Sequence, residues 1–205
     1  GAIAVGVVGD GTTANKSQPT PVTGGTNYLS VSLAIDHACA LDADNHAWCW
    51  GSQALGSSNN VSYVPQAVDG DNEFIEIGAG TDYSCALRPN GTTVCWGDPW
   101  KGQLGDGDST TSHDSPVSVV TDQSFITIAV GPTHACGLTA IGAAYCWGSN
   151  DFGEIGDSTR KNRVVPTLVK GGHAFQRISA GQTHTCAVTI DNIAYCWGSN
   201  EESQL

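Results

Sequence analysis

Eight cysteines stand in four pairs of one spacing: Cys39 and Cys49, Cys85 and Cys95, Cys136 and Cys146, Cys186 and Cys196. Thiols so placed either oxidise to disulfides or, as thiolates, bind a metal such as zinc. His37, His134 and His184 precede their first cysteines by two residues, so His-x-Cys with the distant cysteine offers three ligands. Against zinc stand the missing fourth ligand, Tyr83 where the second histidine belongs, and the lack of Cys-x-x-Cys. Disulfides are expected, with zinc as the alternative. Asp106-Gly107-Asp108 could contribute calcium ligands, yet it recurs more weakly at Asp10-Gly11 and lacks a bidentate glutamate at loop spacing. No metal and no cofactor are expected.

Nucleophile elbow, His-Glu-x-x-His and phosphate-loop patterns are absent from the sequence, so no catalytic residues are assigned and a non-enzyme is expected. A residue that recurs in every module serves the module, which makes the three histidines and the Cys-Trp-Gly tryptophans structural. Residues that break the repeat are more informative. Trp100 has no tryptophan counterpart and sits beside Lys101, and tryptophan is enriched at binding hot spots. Arg160, Lys161 and Arg163 concentrate basic charge in one loop and could read an acidic partner. These five residues are the candidate partner-binding set.

The elements that position them follow from the repeat itself. Each second cysteine opens Cys-Trp-Gly, and twenty residues before each first cysteine stands a Pro-x-x-Val unit, at Pro19, Pro65, Pro116 and Pro166. An aromatic lies eleven residues before, at Tyr28, Phe74, Phe125 or Phe175. Length varies only after Cys-Trp-Gly, which makes that stretch the loop. Each module thus offers four short strands, the content of one propeller blade. The last two form a hairpin with cysteine opposite cysteine, turning at Asp44, Pro89-Asn90-Gly91, Ile141 and Asp191. Directly opposed cysteines are close enough to bridge. Alternation puts Cys39 and Leu41 on one face and Trp48 and Trp50 on the other, so both faces are apolar, as stacked blades require.

Gly131 to Leu138 with Tyr145 to Asn150, Gly181 to Val188 with Tyr195 to Asn200, and Gly102 to Gly107 resemble the regulator of chromosome condensation repeat, over nearly the whole chain. The cysteine pairs resemble the extracellular, disulfide-containing branch of that family. The resemblance implies an all-β propeller of four-stranded blades, normally seven, of which four repeats are present. Guanine nucleotide exchange, known in the nuclear member, belongs to a cytosolic partner and is not expected. A secreted relative inhibits β-lactamases by protein contact, an analogy for inhibitor-like binding.

Residues 1–205 read as a single repeat domain, with repeats at approximately 9–51, 56–97, 105–148 and 156–198. Segments 199–205 and 1–8 fall at equivalent repeat positions. Either the chain closes on itself, the N-terminal segment completing the last blade, or it forms an arc of a larger ring; the arc, or assembly of several chains, is the expectation. A chain starting at Gly1 without methionine is a processed product or a piece of something longer.

The formal net charge of −12 repels phosphate backbones and anionic lipid, and no apolar run is long enough to span a bilayer as a helix. Neither nucleic acid nor membrane insertion is expected. Disulfides persist where the medium is oxidising, so the expected location is secreted or cell surface. Asn15, Asn60 and Asn90 open Asn-x-Ser/Thr sequons that could carry glycans. The functional expectation is an extracellular scaffold that holds a protein or glycan through its variable loops. The alternative is a structural subunit of a cell-surface or filamentous assembly joined through blade edges.

Overall fold

The computed structural model describes residues 6–24, 27–70 and 73–205, and every regular element among them is a β-strand. Blade 1 holds β1 (Tyr28–Leu33), β2 (His37–Asp42), β3 (Ala47–Ser52) and β4 (Val61–Ala67). Blade 2 holds β5 (Glu76–Ala79), β6 (Tyr83–Leu87), β7 (Thr93–Gly97) and β8 (His113–Ser118). Blade 3 holds β9 (Phe125–Val130), β10 (His134–Thr139), β11 (Ala144–Gly148) and β12 (Arg163–Leu168). Blade 4 holds β13 (Phe175–Ala180), β14 (His184–Thr189) and β15 (Ala194–Gly198). All pairings are antiparallel between sequence neighbours, which suits short loops.

The sequence expectation of one blade per Pro-to-Cys module needs correction. Pro65, Pro116 and Pro166 lie in β4, β8 and β12, and each of these strands pairs with the Cys-Trp-Gly strand of the preceding module. Every complete blade therefore borrows its outermost strand from the next repeat. Proline is tolerated there because an edge strand has one side free of ladder hydrogen bonds. Among the described residues, blade 4 has three strands rather than the expected four. Pro19 and Val22 lie outside any strand.

The central hairpins carry the disulfides. Cys39 faces Cys49 in register, as do the other three pairs, with Cα atoms 4.0–4.1 Å apart. All eight sulfurs are bonded, so His-x-Cys has no thiolate to give zinc. Each hairpin turns through a residue with positive φ, namely Asn45, Gly91, Gly142 and Asn192, residue types that enter this region at low cost.

The cores lie between blades. Cys39, Leu41 and Cys49 of blade 1 meet Phe74, Ala86, Val94 and Trp96 of blade 2, with Leu55 from the intervening loop. The next two interfaces repeat this around Leu104 with Trp147 and around Ile155 with Trp197. Each blade thus has a trailing, cysteine-bearing face and a leading, tryptophan-bearing face.

The four blades form an arc rather than a closed ring. Residues 6–23 do not complete blade 4; they fold back on blade 1, where Gly11 N donates to Tyr63 O and Thr23 N to Gly9 O, at 2.9 and 2.8 Å. Gly107 N donates to Val164 O in the same manner, at 2.9 Å, so Gly9-Asp10-Gly11 acts as a loop of the repeat. The part of segment 1–8 before Gly6 lies outside the described residues.

Candidate functional site

The loops after Cys-Trp-Gly are fixed to the blades at one recurring point. The indole Nε1 of Trp50, Trp96, Trp147 and Trp197 donates to the carbonyl oxygens of Val7, Ala54, Gln103 and Glu154, at 2.7–3.0 Å. In each case the acceptor stands two residues before a loop glycine of positive φ: Gly9, Gly56, Gly105 or Gly156. A buried indole N–H needs a partner, and here it pins the preceding loop to the blade. The tips beyond these anchors are what the scaffold can present.

Trp100 is such a tip, 60% exposed on the loop between β7 and β8. Its amide donates to Asp98 Oδ1 at 2.9 Å, which fixes the turn. The Lys101 ammonium lies 4.4 Å from the centre of its ring and pairs with Asp151 of the next module's loop. A cation over an indole face is attractive and also orders the ring. Two residues on, Gly102 runs close beneath β12: a Cβ there would fall 2.8 Å from Arg163 O and from Val164 Cα.

The basic loop does not act as three free charges. Arg163 donates through Nε and Nη2 to Asp157 Oδ2 and is half-buried, whereas Arg160 and Lys161 are exposed. For Asp157, burial pushes the carboxyl up, but hydrogen bonds from Thr159 and Arg163 outweigh it and hold the group below its ordinary range. The fully buried Asn150 braces this loop from within. Its Nδ2 donates to Thr159 O and Lys161 O at 3.1 and 3.0 Å, its Oδ1 accepts from Ile155 N at 3.0 Å, and its amide donates to Asn162 Oδ1 at 2.9 Å. The adjacent Asp151 pairs with Lys101, which ties the loop of Trp100 to the loop that carries Arg160 and Lys161. Sequence reading missed Asn150, although Ser-Asn after Cys-Trp-Gly recurs at Asn200, whose Oδ1 accepts from Leu205 N at 3.1 Å.

The acidic turns are occupied by their own backbone. Hydrogen bonds from Thr111 and Thr110 hold the Asp108 carboxyl well below the usual range, while Asp106 meets His113 Nε2 at 3.1 Å. Among the described residues, Asp42, Asp44 and His46 bring donor atoms within 4.8 Å of one another, the spacing of a metal site. The Asp42 carboxylate, however, already accepts from Asp44 N, His46 N and Trp48 Nε1 at 2.8–3.0 Å. Burial raises that carboxyl and those bonds more than offset it, so the group caps the turn in the ionised form.

Two clefts accompany the loops. A polar one of about 210 Å³ lies between the first two blades, lined by Asp82, Asp98, Asp114 and Asn60. Burial, then repulsion from Asp36 and Asp98, raises the Asp82 carboxyl. An apolar one of about 340 Å³ is bounded by Ile141, Leu168, Lys170 and His173. His173 stacks on Tyr195 with centroids 4.1 Å apart. The sequon residues Asn15, Asn60 and Asn90 are all exposed, Asn90 at a hairpin turn where its Oδ1 accepts from Thr92 N at 2.9 Å.

Family models described as the regulator of chromosome condensation (RCC1) repeat match residues 142–188 and, in a second form, residues 31–57, 125–154 and 175–204. Together they span just over half of the chain. A curated human relative, "Probable E3 ubiquitin-protein ligase HERC4", is 37% identical over 71 residues, which is 34% of this chain and 7% of HERC4. The structure of Prp20p from Saccharomyces cerevisiae superposes with a TM-score of 0.76 at 25% identity, over 88% of this chain and 47% of Prp20p. The ectodomain of the receptor kinase CR4 from Physcomitrella patens gives 0.58 at 26% identity, over 87% and 42%. The chain therefore spans about half the length of these structures and a small part of the curated relative.

Proposed function

The chain belongs to the RCC1 repeat family, and from that premise we propose that it is a non-catalytic scaffold of an oxidising, extracellular compartment that binds a protein partner through the loops following its Cys-Trp-Gly strands. The observation that carries the reading is Trp100, a large aromatic side chain exposed on a loop that Leu104 and Trp147 anchor from below. An ordered, exposed indole gives up little conformational entropy on binding, which favours it as an anchor.

Protein partners agree with the family's use of this fold: Prp20 is described with Kap60, Gsp1p and histones as its partners. The net charge of −12 favours a partner with complementary basic character, while Lys101, Arg160 and Lys161 give the Trp100 surface a local positive edge. Four disulfides in 205 residues, and the likeness to a receptor ectodomain, support the extracellular assignment. A glycan at the same aromatic surface is the finer variant, and Asn15, Asn60 and Asn90 are accessible for sugars in a eukaryotic secretory route.

The test compares immobilised wild type, Trp100→Ala and Ile141→Ala against one panel of extracellular proteins and one of glycans, Ile141 being an exposed apolar residue on a hairpin turn away from these loops. Binding lost in Trp100→Ala and kept in Ile141→Ala supports the loop reading. Equal retention by all three rejects it.

A second reading, a structural subunit joined through blade faces, is favoured by one observation. Val31 and Leu33, opposite Ala40 and Ala38 of β2, stand exposed as an apolar pair on the leading face of blade 1.

A further inference from the structure

The blades are joined by two different chemistries. Between blades 1 and 2, His37 Nε2 lies 2.9 Å from Ser84 Oγ, and the Ser84 hydroxyl donates to Ala54 O at 3.4 Å. Between blades 3 and 4, His134 Nε2 lies 2.8 Å from Thr185 Oγ1, whose hydroxyl donates to Glu154 O at 2.9 Å. Those same carbonyls accept the indole N–H of Trp96 and Trp197. With the hydroxyl proton committed to the carbonyl, Nε2 must carry the histidine's hydrogen. The relay thus runs from imidazole to hydroxyl to carbonyl. It requires Ser or Thr immediately before the first cysteine of the following blade.

Between blades 2 and 3 that position is Ala135, which has no hydroxyl, and the trailing residue is Tyr83 instead of histidine. Its hydroxyl reaches past the alanine to the carbonyls of Gly131 and His134, each at 2.8 Å. A second position changes in step. Seven residues before the first cysteine, blade 2 has Gly78, and a Cβ there would fall 2.5 Å from Val130 Cβ. Blade 1 has Ser32 at that place, whose Oγ accepts from the amide of the small Ala79 at 2.9 Å. The interfaces are therefore of two types: His with Ser or Ala against Ser/Thr with Ala, and Tyr with Gly against Ala with a branched aliphatic residue.

The two outer faces of the arc carry opposite types. The trailing face of blade 4 presents His184 and Ser179, the residues found in blade 1 as His37 and Ser32. The leading face of blade 1 has Ala38 and Leu33 at the counterparts of Ala135 and Val130; Ala38 is buried beside Trp50 and Val22, and Leu33 is 67% exposed. We propose that these paired positions set the order of blades, and that the trailing face of blade 4 is built to receive a blade of the same repeat with Ser or Thr before its first cysteine and Ala six residues before it. Blade 2, with Ser84 and Ala79, is the pattern for such an occupant. Blade 1 of a second copy is not: His184 would meet Ala38 without a hydroxyl, and Leu33 would meet Ser179 where the like interface needs glycine. This continues interfaces already present in the chain and does not depend on the Trp100 reading.

The rule is tested first inside the chain, by denaturant unfolding. Tyr83→His and Ala135→Ser should each lower the midpoint, and the double variant should recover at least half of the summed loss. If Tyr83→His does not fold, the reverse exchange at the next interface, Thr185→Ala with and without His134→Tyr, gives the same readout. No recovery in either pair overturns the rule. The outer faces are tested by sedimentation of the whole chain. Leu33→Ala/Ala38→Ser converts blade 1 into the matching type and should tighten self-association about tenfold relative to wild type. Adding His184→Ala should remove that gain. Self-association of wild type equal to that of the converted chain, or no gain on conversion, overturns the assignment of the blade 4 face.

Discussion

The imidazole of His134 and the hydroxyl of Thr185 meet 2.8 Å apart across the interface of blades 3 and 4, with both side chains fully buried. Nδ1 of the same ring is buried without a partner, so a second proton there would have no acceptor. Burial first, and the neighbouring His184 second, bring the group down from 6.5 to about 4.

A pH dependence follows. The unfolded chain takes up this proton near the ordinary histidine value, while the folded chain resists it. The stabilisation is therefore complete above about pH 6.5 and is lost progressively down to about pH 4. Its size is roughly 3 kcal/mol, from the difference of the two values. Unfolding free energies measured between pH 7 and pH 4 should fall more steeply for wild type than for His134→Gln, which keeps a donor toward Thr185. Parallel curves would refute the role of this histidine.

The disulfides should differ in accessibility. Cys39, Cys49, Cys85, Cys95, Cys136 and Cys146 are wholly buried between blades, whereas Cys196 is exposed on the outer face of blade 4. Under mild reduction with rapid alkylation, mass spectrometry should find Cys186 and Cys196 labelled first. Removing an internal bridge, as in Cys136→Ser/Cys146→Ser, should cost about 2–3 kcal/mol for so short a closed loop.

The glycine after each core tryptophan is required by the backbone. Gly148 has φ near 102°, and a Cβ would lie 2.7 Å from Thr133 O and 2.8 Å from His134 Cα. Gly148→Ala should cost about 1–3 kcal/mol from the conformation alone, with the collision adding to it. Gly153→Ala is the control: its φ is 94°, but nothing lies within 4 Å of the added carbon. Equal thermal destabilisation of the two variants would exclude the close approach as the cause.

The indole latch should be separable from the bulk of the ring. Trp147→Phe leaves Gln103 O without its donor in a buried setting, a loss of about 1–3 kcal/mol. Trp100→Phe, at an exposed ring whose N–H is not part of a latch, should stay within about 0.5 kcal/mol of wild type. Chemical denaturation of both variants checks the contrast.

How much of this was legible beforehand varies with the range of the interaction. Pairing of Cys85 with Cys95 follows from their spacing and the Pro89-Asn90-Gly91 turn, because hairpin register is local. The propeller class was readable for the same reason: both faces of the hairpin strands are apolar, as Leu41 and Trp50 are. The owner of the fourth strand was not readable. Val61–Ala67 carries the same pattern whether it begins its own blade or ends the one before, and only pairing with β3 decides. Arg163 likewise looked like its neighbours Arg160 and Lys161 until the fold turned it toward Asp157.

The amino-acid order alone determined the repeat, its strands and its bridges, since each of these is fixed by contacts within a few residues along the chain. The tertiary structure alone decided that His134 is matched to Thr185 while Tyr83 passes over Ala135, that Lys101 of one loop pairs with Asp151 of the next, and that the outer faces differ in kind. Those pairs lie about fifty residues apart in sequence, and their complementarity exists only once two blades are pressed together and water between them is excluded.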